Sequence, residues 1–343
     1  MSRSVAILGK RLGRLVGLGI VGLAAAGCLP LKPVAPTGAG ASAAANPWKV
    51  GVYRGSMRPA DVREHEQWLG RPIQSVLEMI PEDTWAHISS PVNQLRAWAG
   101  LPYDVVFTTP MLPRDGTSTL AAGANGAYDA YWRTFAQTFV QQGRPNAVIR
   151  LGHEFNHTYY PWTATGGKEA SFAAYFRRIV NVTRGVAGSK LRFTFNALSA
   201  VKGADVEAAY PGDAYVDYIG LDLYDSVWDA KDFEQRWQKL RTQAYGLDWL
   251  LSFATKHGKP MSFDEWALVK ASSPSCRDPR SDSGDDTVYI NRMVDFFETQ
   301  NVAYANYFDV ETSYGCTNSR ILYGPYPNAT AAYLRRVGKA SVS

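Results

Sequence analysis

Ala147-Val-Ile-Arg-Leu-Gly-His-Glu-Phe-Asn-His-Thr-Tyr-Tyr-Pro-Trp162 divides into two halves. Ala147, Val148, Ile149 and Leu151 form a short apolar run of the kind a buried parallel strand uses. From Gly152 onward the run breaks into polar and aromatic residues, with Glu154 at the transition. A carboxylate just past the C-terminal end of a buried strand is where an α/β barrel carries its reacting groups. Downstream, Lys259-Pro-Met-Ser-Phe-Asp-Glu-Trp266 repeats the arrangement: Pro260 to Phe263 predicts a strand, and Glu265 follows it.

Working outward, the same alternation of strand and helix runs through the chain from Trp48. Strands are predicted over Val50–Gly55, Ser75–Ile80, Tyr103–Thr109, Ala147–Gly152, Leu191–Asn196, Val216–Tyr224, Pro260–Phe263 and Val302–Phe308. Helical spacing of apolar residues appears between them: Tyr131, Phe135 and Phe139; then Phe172, Tyr175, Ile179 and Val182; then Ile290, Met293 and Phe296 or Phe297. A helix over Lys231–Lys256 should break near Gly246, and Thr330–Val337 closes the chain as a helix. Arg114 to Asn125 reads as a loop rich in Gly, Ala and Thr. Eight strands alternating with helices predict an α/β fold, a closed (β/α)8 TIM barrel covering residues 47–343. No Gly-rich phosphate loop follows any strand, so a nucleotide fold has no support.

The N-terminus reads as an address. Met1 to Arg14 is basic and Leu15 to Ala26 is apolar, the two parts of a secretory signal and too short for a comfortable membrane span. Ala25-Ala-Gly-Cys28 resembles a bacterial lipobox, which makes Cys28 a candidate lipidation site and residues 1–28 the signal; ordinary cleavage after a small residue is the alternative. Residues 29–46, mostly Pro, Ala, Gly and Ser, predict a flexible tether. Together these predict an exported protein, a lipoprotein of the cell surface or periplasm or otherwise secreted, that meets the membrane only through the anchor. Cys276 and Cys316 remain as an even pair in an exported domain and predict a disulfide. The net charge of +5 owes four charges to Arg3, Lys10, Arg11 and Arg14, leaving +1 on the remainder. That gives no electrostatic case for nucleic acid or an anionic membrane surface.

Two strand-end glutamates on opposite sides of a barrel mouth point to the pair of carboxyl groups a glycosidase needs, one to donate a proton and one to attack or stabilise the sugar. The surrounding residues sharpen this. Arg150-x-x-His153-Glu154-x-Asn156 followed by Trp162 resembles the acid/base motif of glycoside hydrolase family 26, best known for β-mannanases. Gly51-Val-Tyr53, Asp217-Tyr-Ile-Gly-Leu-Asp-Leu-Tyr-Asp225 and Phe263-Asp-Glu-Trp266 match further patches in order. The resemblance implies Glu154 as acid/base, Glu265 as nucleophile, Tyr224 as a hydrogen-bond partner of the nucleophile, and His153 and Trp162 as substrate-binding residues. It implies retaining endo-hydrolysis of a β-linked polysaccharide, β-mannan first and β-glucan or β-xylan next, by a monomer needing no cofactor. Two departures, His157-Thr-Tyr-Tyr-Pro161 before Trp162 and Glu265-Trp-Ala267, fall at the substrate rim and leave the sugar open.

The residues themselves add candidates. Trp266 and Trp228 are predicted sugar-stacking rings, and Asn196 and His157 predicted substrate contacts. Arg150 shares a strand face with the site and should pair with a carboxylate there, Glu78 being one candidate. Asp264 should point away from Glu265 by strand alternation. Asp222 and Asp225 are open between substrate binding and loop capping, while Asp309 and Glu311 are the rival catalytic carboxylates. No His-Glu-x-x-His set predicts a metal and no Gly-x-Ser-x-Gly elbow predicts a serine nucleophile. A barrel that binds polysaccharide without cutting it, and a transglycosylase, are the alternatives.

Overall fold

The computed structural model describes residues 48–227, 229–230, 232–271, 282–312 and 317–338. Cys28, Cys276 and Cys316, the signal and tether segments, and Trp228 lie outside them.

Eight parallel strands close into a barrel in sequence order: β1 (Lys49–Tyr53), β2 (Ser75–Met79), β3 (Asp104–Thr109), β4 (Val148–Leu151), β5 (Arg192–Leu198), β6 (Tyr218–Asp225), β7 (Met261–Leu268) and β8 (Val302–Phe308). The ring shuts where β8 runs beside β1, with Lys49 opposite Tyr304 and Gly51 opposite Asn306. The helices are α1 (Pro59–Leu69), α2 (Trp85–Ser89), α3 (Val92–Ala97), α4 (Leu120–Ala124), α5 (Asp129–Gln141), α6 (Glu169–Arg184), α7 (Phe233–Thr242), α8 (Leu247–His257), α9 (Thr287–Thr299) and α10 (Pro327–Val337). The predicted break near Gly246 separates α7 from α8. No helix among the described residues is long and apolar enough to cross a membrane.

The core forms where outward strand faces meet helix stripes. α6 buries Phe172, Tyr175, Phe176, Ile179 and Val180, residues three and four apart, against β5. On α5 Trp132 is buried with Phe135 and Phe139, while Tyr131 stays 40% exposed. The Arg114–Asn125 stretch is not wholly loop: Thr119 caps α4, its side chain accepting from the Ala122 amide.

β7 departs most from expectation. It runs to Leu268, so Glu265 lies within the strand. Against β6, Gly220 pairs with Ser262 and Asp222 with Glu265, so two residues of β7 oppose one of β6. The same extra residue appears against β8, where Phe263 pairs with Ala305 and Trp266 with Tyr307. This bulge breaks the alternation and turns Asp264 and Glu265 both into the barrel. Beyond it, residues 270–271, 311–312 and 317–318 form a small antiparallel sheet joining the segments that follow β7 and β8.

Candidate active site

The site begins at the end of β4. Gly152 takes a left-handed turn (φ 58°), and a Cβ there would collide with the Met111 side chain. Glu154 is also left-handed (φ 51°), a conformation that costs a side-chain-bearing residue about 1 kcal/mol or more. Its amide donates to the Asn196 carbonyl at 3.2 Å, and its carbonyl accepts from the His157 amide at 2.9 Å. Asn156 braces the same turn: its Nδ2 donates to the carbonyls of Leu198 and Val201, and its Oδ1 accepts from the Leu198 amide. The left-handed turn is therefore held from both sides.

Glu265 is held differently. Arg150 Nη1 donates to its Oε1 at 2.6 Å, and the Tyr224 hydroxyl donates to its Oε2. Arg150, fully buried, also contacts Thr108, Asn196 and Asp222. Asn196 Nδ2 donates to Asp222 and Asp264, and Asp264 accepts from the hydroxyls of Tyr304 and Ser262. Gly220 leaves the room Asp264 occupies, since a Cβ there would overlap Asp264 Oδ2 and sit 2.7 Å from Thr194 Cγ2.

One guanidinium thus serves four carboxyl groups: Asp222, Glu265, Asp264 and Glu154 all act on Arg150. Burial alone would pull Arg150 down, but these carboxylates more than reverse it and keep it charged. Four carboxylates around one cation cannot all ionise cheaply in a dry interior. Burial, then the Glu265 charge, push the Glu154 carboxyl up to about 7, against the opposing pull of Arg150. Asp222 and Tyr160 lie close enough to Glu154 to oppose part of that rise. His153, desolvated and close to Arg150 and Arg114, is pushed down and stays neutral.

A cleft of about 970 Å³ opens beside this pair. Glu154, Tyr224, His157 and Phe308 line its inner end, and Ser199–Val201, Ser226, Lys239 and Gln243 line its wall. Of the predicted site residues, Glu154, His157 and Tyr224 reach the cleft. Glu265, 6% exposed, sits behind Tyr224. His153 is buried at the rim, and its Nδ1 has no partner among the described residues.

Several residues are placed otherwise than predicted. Trp266 is no sugar platform: the bulge turns it outward, where it packs among Tyr289, Phe297, Tyr307 and Tyr333. Trp162 is fully buried, its Nε1 donating to the His153 carbonyl at 2.8 Å, so it props the loop rather than meeting a ligand. Asn196 lies beneath the cleft in the Arg150 network because β5 runs two residues past it. Glu78 does not pair with Arg150; it accepts from Trp98 Nε1 and the Met57 amide. The rival Asp309 is saturated by Arg54, His65 and the amides of Ile321 and Leu322. Asp225 anchors α7 through Arg236.

Tyr160 was missed by the sequence reading. It stacks on Trp162, with centroids 4.7 Å apart and planes at 11°, and contacts Glu154. Burial and the charges of Glu154 and Glu265 push its hydroxyl well up, so it remains a neutral donor. The signal was the insert itself, aromatic residues placed directly after the Glu154 turn.

The model of glycosyl hydrolase family 26 matches residues 134–248, which include Glu154 and Tyr224 but not Glu265. The chain is 30% identical over 131 residues to Endoglucanase H of Acetivibrio thermocellus, covering 36% of this chain and 13% of that protein. It is 26% identical over 172 residues to a mannan endo-1,4-beta-mannosidase of Bifidobacterium adolescentis, covering 49% of this chain and 16% of that one. The matches therefore span less than a fifth of either relative. Among solved structures, a modular endo-beta-1,4-mannanase from Cellulomonas fimi superposes with TM-score 0.60 at 17% identity, over 83% of this chain and 70% of that one. The catalytic domain of a Bacillus sp. JAMB-750 endo-beta-1,4-mannanase does so with TM-score 0.57 at 16% identity, over 84% and 86%. At such identities the likeness is one of fold.

Proposed function

We propose that the chain, which the model of glycosyl hydrolase family 26 matches over residues 134–248, is a retaining endo-hydrolase of a β-linked polysaccharide, with Glu154 as acid/base and Glu265 as nucleophile. The observation that carries the reading is the contrast in the two carboxyl environments: Glu154 holds its proton to about pH 7, while Glu265 faces a buried guanidinium and a phenol.

In the first step a Glu265 oxygen attacks the anomeric carbon, the bond from that carbon to the glycosidic oxygen breaks, and the Glu154 proton passes to the leaving oxygen. Esterification removes the Glu265 charge, so one of the two influences raising Glu154 disappears and it can ionise. In the second step Glu154 takes a proton from water, the water oxygen bonds to the anomeric carbon, and Glu265 departs as carboxylate. Tyr224 and Arg150 then receive the charge back.

The names of the relatives, a mannan endo-1,4-beta-mannosidase and an endoglucanase, support β-1,4-linked mannan as the first substrate and a glucan as the second. The basic and apolar N-terminus ending in Gly27-Cys28 supports export with a lipid anchor. The test is hydrolysis of β-mannan, mixed-linkage β-glucan and β-xylan by the purified chain and by Glu154→Ala and Glu265→Ala. Loss in both variants is expected; activity surviving Glu265→Ala overturns the nucleophile. Sugar binding without cleavage by the parent chain overturns the enzyme reading.

A further inference from the structure

The interior of the barrel is polar well beyond the carboxylate cluster. Interiors of this fold are ordinarily filled by bulky branched side chains. Here the inward positions include Gly51, Ser75, Thr194, Gly220, Ser262 and Asn306. Thr194 and Ser262 are satisfied: Thr194 Oγ1 lies 3.0 Å from the Tyr304 hydroxyl, which donates to Asp264, and Ser262 Oγ donates to Asp264 as well. Asn306 and Ser75 differ. Asn306, fully buried on β8, has no hydrogen-bond partner for Oδ1 or Nδ2 among the described residues. Ser75, 1% exposed at the start of β2, has none for Oγ.

The two are neighbours across β1. Gly51 pairs with Asn306 on one side and with Ser75 on the other. A Cβ on Gly51 would stand 2.0 Å from Asn306 Oδ1 and 3.0 Å from Ser75 Cβ. The glycine thus leaves the room over which both side chains lie. A cavity of about 470 Å³ opens at the end of the barrel opposite the cleft, lined by residues at the start of every strand. Ser75 and Tyr304 are among them, and the Lys49–Asp104 ion pair stands at its rim.

A buried water makes about three hydrogen bonds to polar groups that have no other partner. Asn306 supplies an acceptor and a two-hydrogen donor, and Ser75 a hydroxyl that can do either. An apolar ligand would leave these atoms unpaired. A metal cation would find only two unpaired side-chain oxygens among the described residues there.

We propose that the floor of the barrel holds a bound water, shared by Asn306 and Ser75 over Gly51 and exchanged through the cavity at the N-terminal ends of the strands. It ties β8 to β2 at a point between Tyr304, which holds Asp264, and Phe308, which lines the cleft.

The experiment compares thermal unfolding of the full chain with that of Ser75→Ala, Asn306→Leu and the double variant, beside a crystal structure of the parent that shows ordered water. The sign of the change decides. A polar group buried without a partner burdens the fold, so its removal raises Tm; a group bonded to water loses that bond, so its removal lowers Tm. Each single variant should unfold about 2 °C or more below the parent. The double variant should lose less than the sum, because both changes remove the same water. The crystal should show a water within about 3.2 Å of Asn306 and of Ser75 Oγ. A raised or unchanged Tm for Ser75→Ala, additive losses, or a direct bond between Asn306 and Ser75 overturns the site. If Asn306→Leu fails to fold, Ser75→Ala and the crystal decide alone. No outcome touches the roles of Glu154 and Glu265.

Discussion

Glu154 and Glu265 feel one another's charge but are delivered by opposite means. The first leaves its strand at once, through two left-handed residues, and sits among Asp222 and Tyr160. The second stays inside the longest run of its strand and is turned inward by one extra residue, onto Arg150 and Tyr224. On the proposed roles, the difference teaches that an acid and a nucleophile need different supports. A group that must hold a proton is desolvated and set near like charge; a group that must stay ionised is given a cation and a donor.

The largest effects should divide along this line. Glu265→Ala is expected to lower turnover at least about ten-thousandfold on polymer and on aryl glycosides alike, because no other group forms the ester. Glu154→Ala should cost about a hundred- to ten-thousandfold on polymer. It should cost far less in the bond-breaking step of an aryl glycoside whose leaving group departs without a proton, read as a pre-steady-state burst. Equal losses on the two substrates break the division of roles.

Next, Trp266→Ala should destabilise the fold by about 3–5 kcal/mol through an unfilled cavity among Tyr289, Phe297, Tyr307 and Tyr333. Denaturant unfolding measures this. A raised KM with unchanged stability would restore Trp266 to the substrate.

Glu154 should also burden the native state in a pH-dependent way. Its folded value of about 7 exceeds the ordinary glutamate value of 4.5. Near pH 4 both states are protonated and nothing is lost. As pH rises through 7 the unfolded chain has already released its proton, and stability falls by at most about 3 kcal/mol. Glu154→Gln should therefore raise Tm at pH 8 and leave it unchanged near pH 4. The same proton predicts that kcat/KM for polymer declines above about pH 7.

The smallest effect sharpens the other side. Tyr224→Phe removes one hydrogen bond to a charged acceptor, an interaction of about 1.5–3 kcal/mol, so bond cleavage should slow about 10- to 100-fold. A loss no larger than that of a surface tyrosine would leave Arg150 as the sole support of Glu265.

The barrel was legible because its signals are local. Short apolar runs gave all eight strands, and Glu154, His157 and Tyr224 reached the cleft because they lie at or past strand ends. Asn196 was misplaced by a strand boundary two residues short. Trp266 and Asp264 were misplaced by the bulge, which Ser262-Phe-Asp-Glu-Trp266 announces with neither Gly nor Pro. The bulge is a property of register against β6 and β8, and register is not written within one strand. Trp162 carried a true signal, proximity to Glu154, but its indole was needed to hold the His153 carbonyl.

Gly220 touches no substrate and carries no charge, yet the position of Asp264, and with it the step that aims Glu265, depends on a methyl group that β6 omits. The information that orients Glu265 is thus shared between neighbours in the ring, part as an added residue and part as a withheld one. Exchange of either strand alone, in a chimaera with a related barrel, would transfer the glutamate without its aim; β6 and β7 are inherited usefully only as a couple.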